Sequence, residues 1–478
     1  MRRILLRTLP PRPVPPTTPV RTVRPAPVTR ILTANMEKYA RAISALSEAV
    51  RQTTIARAAR PAPAERVHLP PQAADAVRTS EKNPVTGRFL LPYSAYSVLS
   101  LPCMERRRTK KTDPNKITDV GIFCKLTSSQ HKEKREMLST PVEPIDLCAV
   151  NGIDDLVTAF RGASIQARRI GECAEVWEKM ATDKDRPTII LGLAGPLIAA
   201  GLRKVIRDLI DFNLVDAIVS TGAIMYQDYY QAKGYMHYVG SPDADDTKLR
   251  DLYIDRIYDT YVDESKFWET DCGIGKFADS LKPGNYSSRM FLKALSETVD
   301  DDQSILVTAR KCGIPIFAPA INDSSIGIGL TEHYNRCLKE GRKGVTIDSI
   351  QDNYELTQVV VKSKCTSAVY IAGGVPKNFI NDSVVMSYIF DKDTGGHRYA
   401  IQLTTDVPHW GGLSGSTLSE ATSWGKVSKE ATHQMAFVEP SVSLPLVAGY
   451  LLKKESGKDR PRIVYEWSPP NLNGISFK

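Results

Sequence analysis

The chain contains no CxxC pair, and its eight cysteines (103, 124, 148, 173, 272, 312, 337 and 365) are scattered, none at zinc-ligand spacing with a histidine. That argues against a disulfide framework or a zinc ribbon and for free thiols in a reducing compartment. No GxGxxG is present, so no dinucleotide site can be read from that motif. Gly415-Ser416 lacks the flanking GxSxG elbow, which leaves serine-hydrolase chemistry without support. The longest charge-free apolar stretch, Thr188–Leu202, is too short for a bilayer, which needs about 20 residues. No metal site is expected: of the seven histidines, His397, His409 and His433 lie near the Asp406–Leu418 loop in sequence without a partner at ligand spacing. His237 reads as a structural or pocket histidine.

Acidic residues are absent from residues 1–36, which hold seven arginines and eight prolines. An organellar transit peptide is Arg-rich and acid-poor in this way. Proline at this density opposes the amphipathic helix such a signal needs, so a disordered extension or a mis-assigned start is the competing reading, with Met36, Met104 and Met137 as later starts. Residues 1–136 carry 26 Lys and Arg against 10 Asp and Glu, and residues 137–478 carry 37 against 44. The overall charge of +9 therefore belongs to the N-terminal part, and a nucleic-acid reading of the whole chain is excluded. The acidic body suits cationic partners such as polyamines or a basic protein loop.

The sequence divides into a basic Pro/Arg-rich extension over 1–136, a catalytic domain over 137–453 and a polar, peripheral tail over 454–478. Within the extension, Met36–Arg60 has helical spacing and Arg106–Lys111 is a solvated basic run. Ile153–Met180 predicts one long amphipathic helix. Pro187–Ala194 predicts a buried strand, Gly195-Pro196 a helix start running to about Asn213, and Val215–Ser220 a second strand. Further strands are expected at Ile314–Ala318, Ser367–Ala372, Arg398–Thr405 and Gln434–Val438, with helices in Val345–Lys362, after Gly373-Gly374, and from Glu439-Pro440 through Leu451. The alternation predicts a Rossmann-like α/β fold, a mainly parallel sheet with helices on both faces. Small and acidic residues follow the strand ends, where open sheets of this kind bind ligands. The tyrosine- and aspartate-rich stretch Tyr226–Tyr261 reads as a surface excursion.

One stretch carries chemistry: Ser419-Glu-Ala-Thr-Ser-Trp-Gly-Lys426. A lysine beside an aromatic ring can be desolvated, which lowers its pKa and frees the amine for imine formation. By itself one lysine is more often a surface residue packed on a tryptophan. The segment resembles the active-site signature of deoxyhypusine synthases. The resemblance extends over roughly residues 145–453 through segments in the right order: Leu191–Gly201, Asp216–Asp228, Ile314–Gly327, Tyr370–Lys377, Glu420–Lys426 and Glu439–Pro445.

This resemblance implies a homotetrameric, cytoplasmic, NAD-dependent transferase with active sites shared between subunits. Such an enzyme takes the aminobutyl group of spermidine, holds it as a lysine imine, and passes it to a lysine of the translation factor that carries hypusine. On this basis Lys426 is the nucleophile. Thr221, Gly222, Asp323, Thr405 and Glu439 are cofactor-binding. Glu420, Ser423, Trp424 and Gly425 contact the polyamine, Glu420 through an ammonium group and Trp424 as a cation–π wall. Several family positions differ. Paired glutamates are replaced by Tyr226-Gln227, an aspartate by Ile328, a histidine by Asn378, a Gly-Ser-Asp by Gly411-Gly412-Leu413, and a Ser-Asn by Gly195-Pro196. Asp228, Asp406 and Glu420 are the candidates to compensate. An altered amine pocket leaves three readings open: a protein-lysine acceptor, a free amine as donor or acceptor (as in homospermidine synthesis), and a catalytically silent NAD-binding relative.

Overall fold

The computed structural model describes residues 126–413 and 416–478. The expectations for Met36–Arg60, the Arg106–Lys111 run and the Arg/Pro stretch fall outside the described residues. The chain first forms α1 (Ser128–Met137), α2 (Ile153–Gly162), α3 (Ile165–Thr182), β1 (Thr188–Leu193), α4 (Arg203–Asp211), β2 (Ala217–Ser220) and α5 (Gly222–Ala232). It continues with β3 (Tyr238–Val239), α6 (Asp246–Asp251), β4 (Ile254–Ile257), β5 (Thr260–Asp263), α7 (Glu264–Ser280), β6 (Gly284–Tyr286), α8 (Ser288–Ser296), α9 (Ile305–Cys312) and β7 (Ile316–Phe317). Then come α10 (Ser325–Glu340), β8 (Val345–Ile347), α11 (Ser349–Lys362), β9 (Thr366–Ile371), α12 (Gly374–Ile389), β10 (His397–Leu403), α13 (Leu418–Ser423), β11 (Val427–Ala436), α14 (Pro440–Lys453), β12 (Ile463–Ser468) and β13 (Asn471–Phe477).

Six parallel strands make the central sheet, in the order β11-β10-β9-β1-β2-β7. β1 and β9 are buried at every position, as strands covered on both faces must be. Successive side chains of β1 enter different cores: Ile189, Leu191 and Leu193 join the cluster that holds Trp177 and Leu444, whereas Ile190 joins Tyr370, Ile380 and Leu418 on the other face. The predicted doubly covered α/β fold is therefore the observed one. No helix among the described residues is long and apolar enough to cross a membrane.

Three local expectations need correction. The pattern over Ile153–Met180 is two helices, because Ser164 is extended (φ −139°, ψ 176°) and breaks the run. No helix starts at Gly195-Pro196. Gly195 (φ +90°) and Gly201 (φ +82°) bracket a run of turns, and α4 begins only at Arg203. No helix N-terminus able to hold an anion forms there, since left-handed glycines interrupt helical geometry at both ends. Finally, residues 454–478 are not a peripheral tail. β12 and β13 pair antiparallel, and the buried Arg460 donates to Asp216 at the foot of β2 (Nη1 to Oδ1, 3.0 Å). Arg186 clamps the same carboxylate with two bonds of 2.8 Å, and Ile189 N–H adds a third at 2.8 Å. Burial pushes the Asp216 carboxyl up, but Arg460 and Arg186 outweigh it and hold it below the ordinary range. The sequence signal was the aspartate itself, a charge within an apolar strand that requires partners from elsewhere.

The Tyr226–Tyr261 excursion is mixed. Tyr226, Tyr229 and Tyr230 face the core from α5. Only the segment beyond α5 is peripheral, where β3, β5 and β4 form a small antiparallel sheet.

Candidate active site

The signature stretch folds as α13 and the turn into β11. Thr417 and Glu420 form a capping box: the Thr417 hydroxyl accepts from Glu420 N–H (3.0 Å), and Glu420 Oε2 accepts from Thr417 N–H (2.7 Å). Those hydrogen bonds hold the exposed Glu420 carboxyl below its usual range. One oxygen of the expected ammonium ligand is thus already used in holding the helix. Leu418 and Ala421 anchor α13 on the core, and Ser423 Oγ donates back to Glu420 O (2.7 Å). Gly425 then turns the chain at φ +68°, a conformation that favours glycine, and its carbonyl accepts from the Tyr388 hydroxyl (2.9 Å).

Lys426 follows at the start of β11, its carbonyl accepting from His397 N–H (3.0 Å). Its side chain is 19% exposed, and Nζ lies 3.5 Å from Asp382 Oδ1 on α12. Nζ is 5.5 Å from the centre of the Trp424 ring, and that ring is 67% exposed. The arrangement presents an amine with one carboxylate neighbour and one aromatic wall, open to an incoming molecule.

Sequence reasoning missed Asp382 and Lys377. Lys377 is the fully buried lysine of this region, four residues into the α12 segment that opens at Gly373. Its three ammonium protons reach Gln402 Oε1 (2.9 Å), Leu413 O (2.6 Å) and Ser416 O (2.5 Å). Burial pushes its pKa down to about 8, with Glu420 opposing and Lys426 adding to the shift. The desolvation expected around Lys426 thus falls on Lys377. A signal was present: a cation in the first turn of a helix opposes the helix dipole, so it must be held by other acceptors.

The expected cofactor residues follow the C-terminal ends of four strands. Thr221 is the N-cap of α5, its hydroxyl accepting from Ile224 N–H (3.5 Å). Gly222 is the first helical residue, where any Cβ would collide with the Ser324 side chain. Asp323 is exposed in the turn before α10, and Thr405 is exposed just past β10. Glu439 caps α14 through Oε2, which accepts from Ser441 N–H (2.8 Å). Glu439 and Ser441 border a cavity of about 640 Å³ together with Pro196, Ala199 and His237. The other four expected cofactor residues do not line it. Burial pushes the His237 pKa down to about 4; its Nδ1 meets Gln231 Nε2 at 2.8 Å, and its Nε2 is buried without a partner. That orphaned ring nitrogen and the unused Oε1 of Glu439 fit the polar edge of a dinucleotide, and the α5 terminus fits its phosphates.

The structure does not bring the two expected groups together within one chain. Lys426 stands at the N-terminal start of β11, while Thr405 and Glu439 lie beyond the C-terminal ends of β10 and β11. The seven residues of β10 alone span roughly 20 Å at about 3.3 Å per residue. Of the carboxylates expected to compensate in the amine pocket, Asp228 is excluded. It is buried and accepts from Arg203 Nε (2.7 Å), Ser304 Oγ (2.7 Å), Ile305 N–H (2.9 Å) and Leu306 N–H (2.9 Å). Asp406 stays exposed.

One cluster of metal-ligand types also escaped the sequence reading: Asp279, His333 and Cys337, the last two four apart on α10. Its groups are already committed. His333 Nδ1 pairs with Asp279 (2.6 Å), Nε2 accepts from Val345 N–H (2.9 Å), and Asp279 also holds Arg336 and Arg342.

The chain is similar to known proteins over most of its described residues. The family model described as deoxyhypusine synthase matches residues 155–451. A Methanosarcina mazei protein named "Probable deoxyhypusine synthase 2" is 42% identical over 71% of this chain and 97% of its own length. A "Deoxyhypusine synthase-like protein" of Chlorobaculum parvum is 42% identical over 69% of this chain and 94% of its own. One of the same description from Coxiella burnetii is 40% identical, over 68% and 93%.

Proposed function

The chain belongs to the deoxyhypusine synthase family, and from that premise we propose that it is an NAD-dependent aminobutyl transferase with Lys426 as its covalent carrier. The donor is spermidine, and the acceptor is a lysine of the translation factor that carries hypusine. The observation that carries this reading is the presentation of Lys426: an accessible amine beside a tryptophan wall, with a single carboxylate at 3.5 Å.

NAD, when bound, would supply the hydride acceptor for oxidation of spermidine and the hydride donor for reduction of the final imine. Glu439 Oε1 would hold a ribose hydroxyl, and the α5 terminus behind Thr221 would face phosphate. The Lys426 amine adds to the oxidised carbon and 1,3-diaminopropane leaves, so that the aminobutyl group rests on Lys426 as an imine. The acceptor lysine then displaces Lys426. Asp382 is placed to take and return the proton of the Lys426 ammonium. Trp424 covers the aliphatic chain and its charge. Because Lys426 and Glu439 lie at opposite ends of the sheet, the reading requires Lys426 of one copy to meet the cofactor residues of another, in keeping with a homotetramer.

A free amine as acceptor is the second reading, favoured by the sequestration of Asp228 and by Tyr226, which replaces a glutamate of the family and donates to Phe267 O (3.1 Å). The test is borohydride trapping with NAD and radiolabelled spermidine, run beside Lys426→Ala. Label that appears on the wild type and vanishes in the variant is expected. Label that then passes to a small amine but never to the protein acceptor would transfer the proposal to the second reading. No label with any amine would make the chain a silent relative.

A further inference from the structure

A cavity of about 420 Å³ lies along the β7 edge, between α8, α9 and the C-terminal hairpin. β7 and β11 are opposite edges of the sheet, five strand spacings or roughly 24 Å apart at about 4.8 Å each. The cavity is therefore far across the sheet from the strand that bears Lys426.

Its lining contains Arg289, Lys293 and Arg310 and no carboxylate. Arg289 is only 6% exposed. Its Nε donates to Glu355 Oε2 (2.7 Å), which matches its charge, and its guanidinium carbon stands 3.9 Å from the centre of the Trp467 ring. Its Nη2, however, is buried and has no hydrogen-bond partner, and the same holds for Arg310 Nε. Buried donors are paired in almost every native site, so two unpaired guanidinium nitrogens on residues that line one cavity point to an acceptor that comes from outside the chain. Lys293 and Arg310 make no ion pair among the described residues and leave the cavity positively charged. Its remaining walls are largely flat or apolar and include Trp467 and Tyr465 from the hairpin together with Tyr286 and Met290.

We propose that this cavity binds a small organic anion, a carboxylate or phosphate carried on a flat ring. The ring lies against Trp467 and Tyr465, and the anionic group accepts from Arg289 and Arg310. Because both aromatic walls come from residues 463–477, the site exists only when the hairpin is docked.

The experiment is titration calorimetry of the full chain with benzoate and phenyl phosphate, with benzyl alcohol and phenol as uncharged counterparts. At least one anion should bind saturably, roughly tenfold or more tighter than its neutral counterpart. Lys293→Met with Arg310→Met should weaken that binding by about tenfold or more with an unchanged melting temperature, and Lys426→Ala should leave it unchanged. Trp467→Leu supplies a second variant should the double one fail to fold, and should lose both anions. Which of the two anions binds identifies the source as carboxylate or phosphate. Equal binding of neutral and anionic probes, full binding by the folded double variant, or no saturable binding up to about 10 mM would overturn the proposal.

Discussion

Two regions of the central sheet, the β11 edge and the foot of the interior strands β1 and β2, handle charge in opposite ways. At the β11 edge, Lys426 has one carboxylate neighbour at 3.5 Å and Trp424 is largely exposed, so polar and aromatic surface is left uncovered. On the other side, at the foot of β1 and β2, Asp216 is buried under two arginines, a backbone N–H and a hairpin from the far end of the chain. A buried charge of that kind is tolerable only when every partner is in place. A singly paired, accessible charge contributes little to stability and remains free for chemistry. The difference teaches where a substitution should read out, as lost activity at the β11 edge and lost folding at the foot of β1 and β2.

The largest effect tests the β11 edge. Lys426→Ala should lower aminobutyl transfer by on the order of 10³-fold or more, because nothing else nearby replaces a covalent carrier, and the melting temperature should hardly change. A variant with normal turnover would break the comparison at once.

Next comes the buried clamp around Asp216. Asp216→Ala strands Arg460 and Arg186 and should cost about 3–5 kcal/mol in chemical denaturation, with activity per folded molecule preserved. Loss of activity without loss of stability would reverse the assignment.

Lys377 sits between these extremes. It is buried and multiply bonded like Asp216, yet it belongs to the region that carries Lys426. Lys377→Met leaves Gln402, Leu413 and Ser416 without their donor, and a drop in kcat of roughly 10- to 100-fold is expected through a loosened loop after β10. Its pKa of about 8 lies below the roughly 10.5 of an unfolded lysine. The unfolded chain therefore holds more protons between those values, and the contribution of Lys377 to stability rises with pH across that window. Activity should move the other way, falling as pH passes about 8 and the third donated bond is lost. A pH–rate profile lacking this limb in Lys377→Met, set beside melting curves over the same range, separates the two roles.

The smallest effect is at Asp382. Asp382→Asn should change stability by less than about 1 kcal/mol, as for other half-exposed pairs, and slow imine formation by about tenfold or less in pre-steady-state trapping. An effect as large as that of Lys426→Ala would mean that Asp382 is no mere neighbour.

Much of this was legible in the sequence. The buried runs of β1 and β9, the turn residues after them and the Glu420–Lys426 stretch announced a parallel α/β sheet with a lysine-bearing turn, because hydrophobic period and turn chemistry are local properties. The break at Ser164 and the displaced start of α4 were harder to read, since single residues there override a continuous apolar pattern.

Partner choice was not legible at all. The sequence by itself determined the strands of the central sheet, the start of α14 at Glu439-Pro440, and which lysine follows the Trp-Gly turn. Only the tertiary structure decided that Asp228 is spent on α4 and α9, that Lys377 rather than Lys426 is buried, and that residues beyond 453 close over Asp216. The physical reason is that a charge declares its need for a counter-charge in the sequence, while the partner that meets the need is chosen by through-space packing of segments tens or hundreds of residues apart.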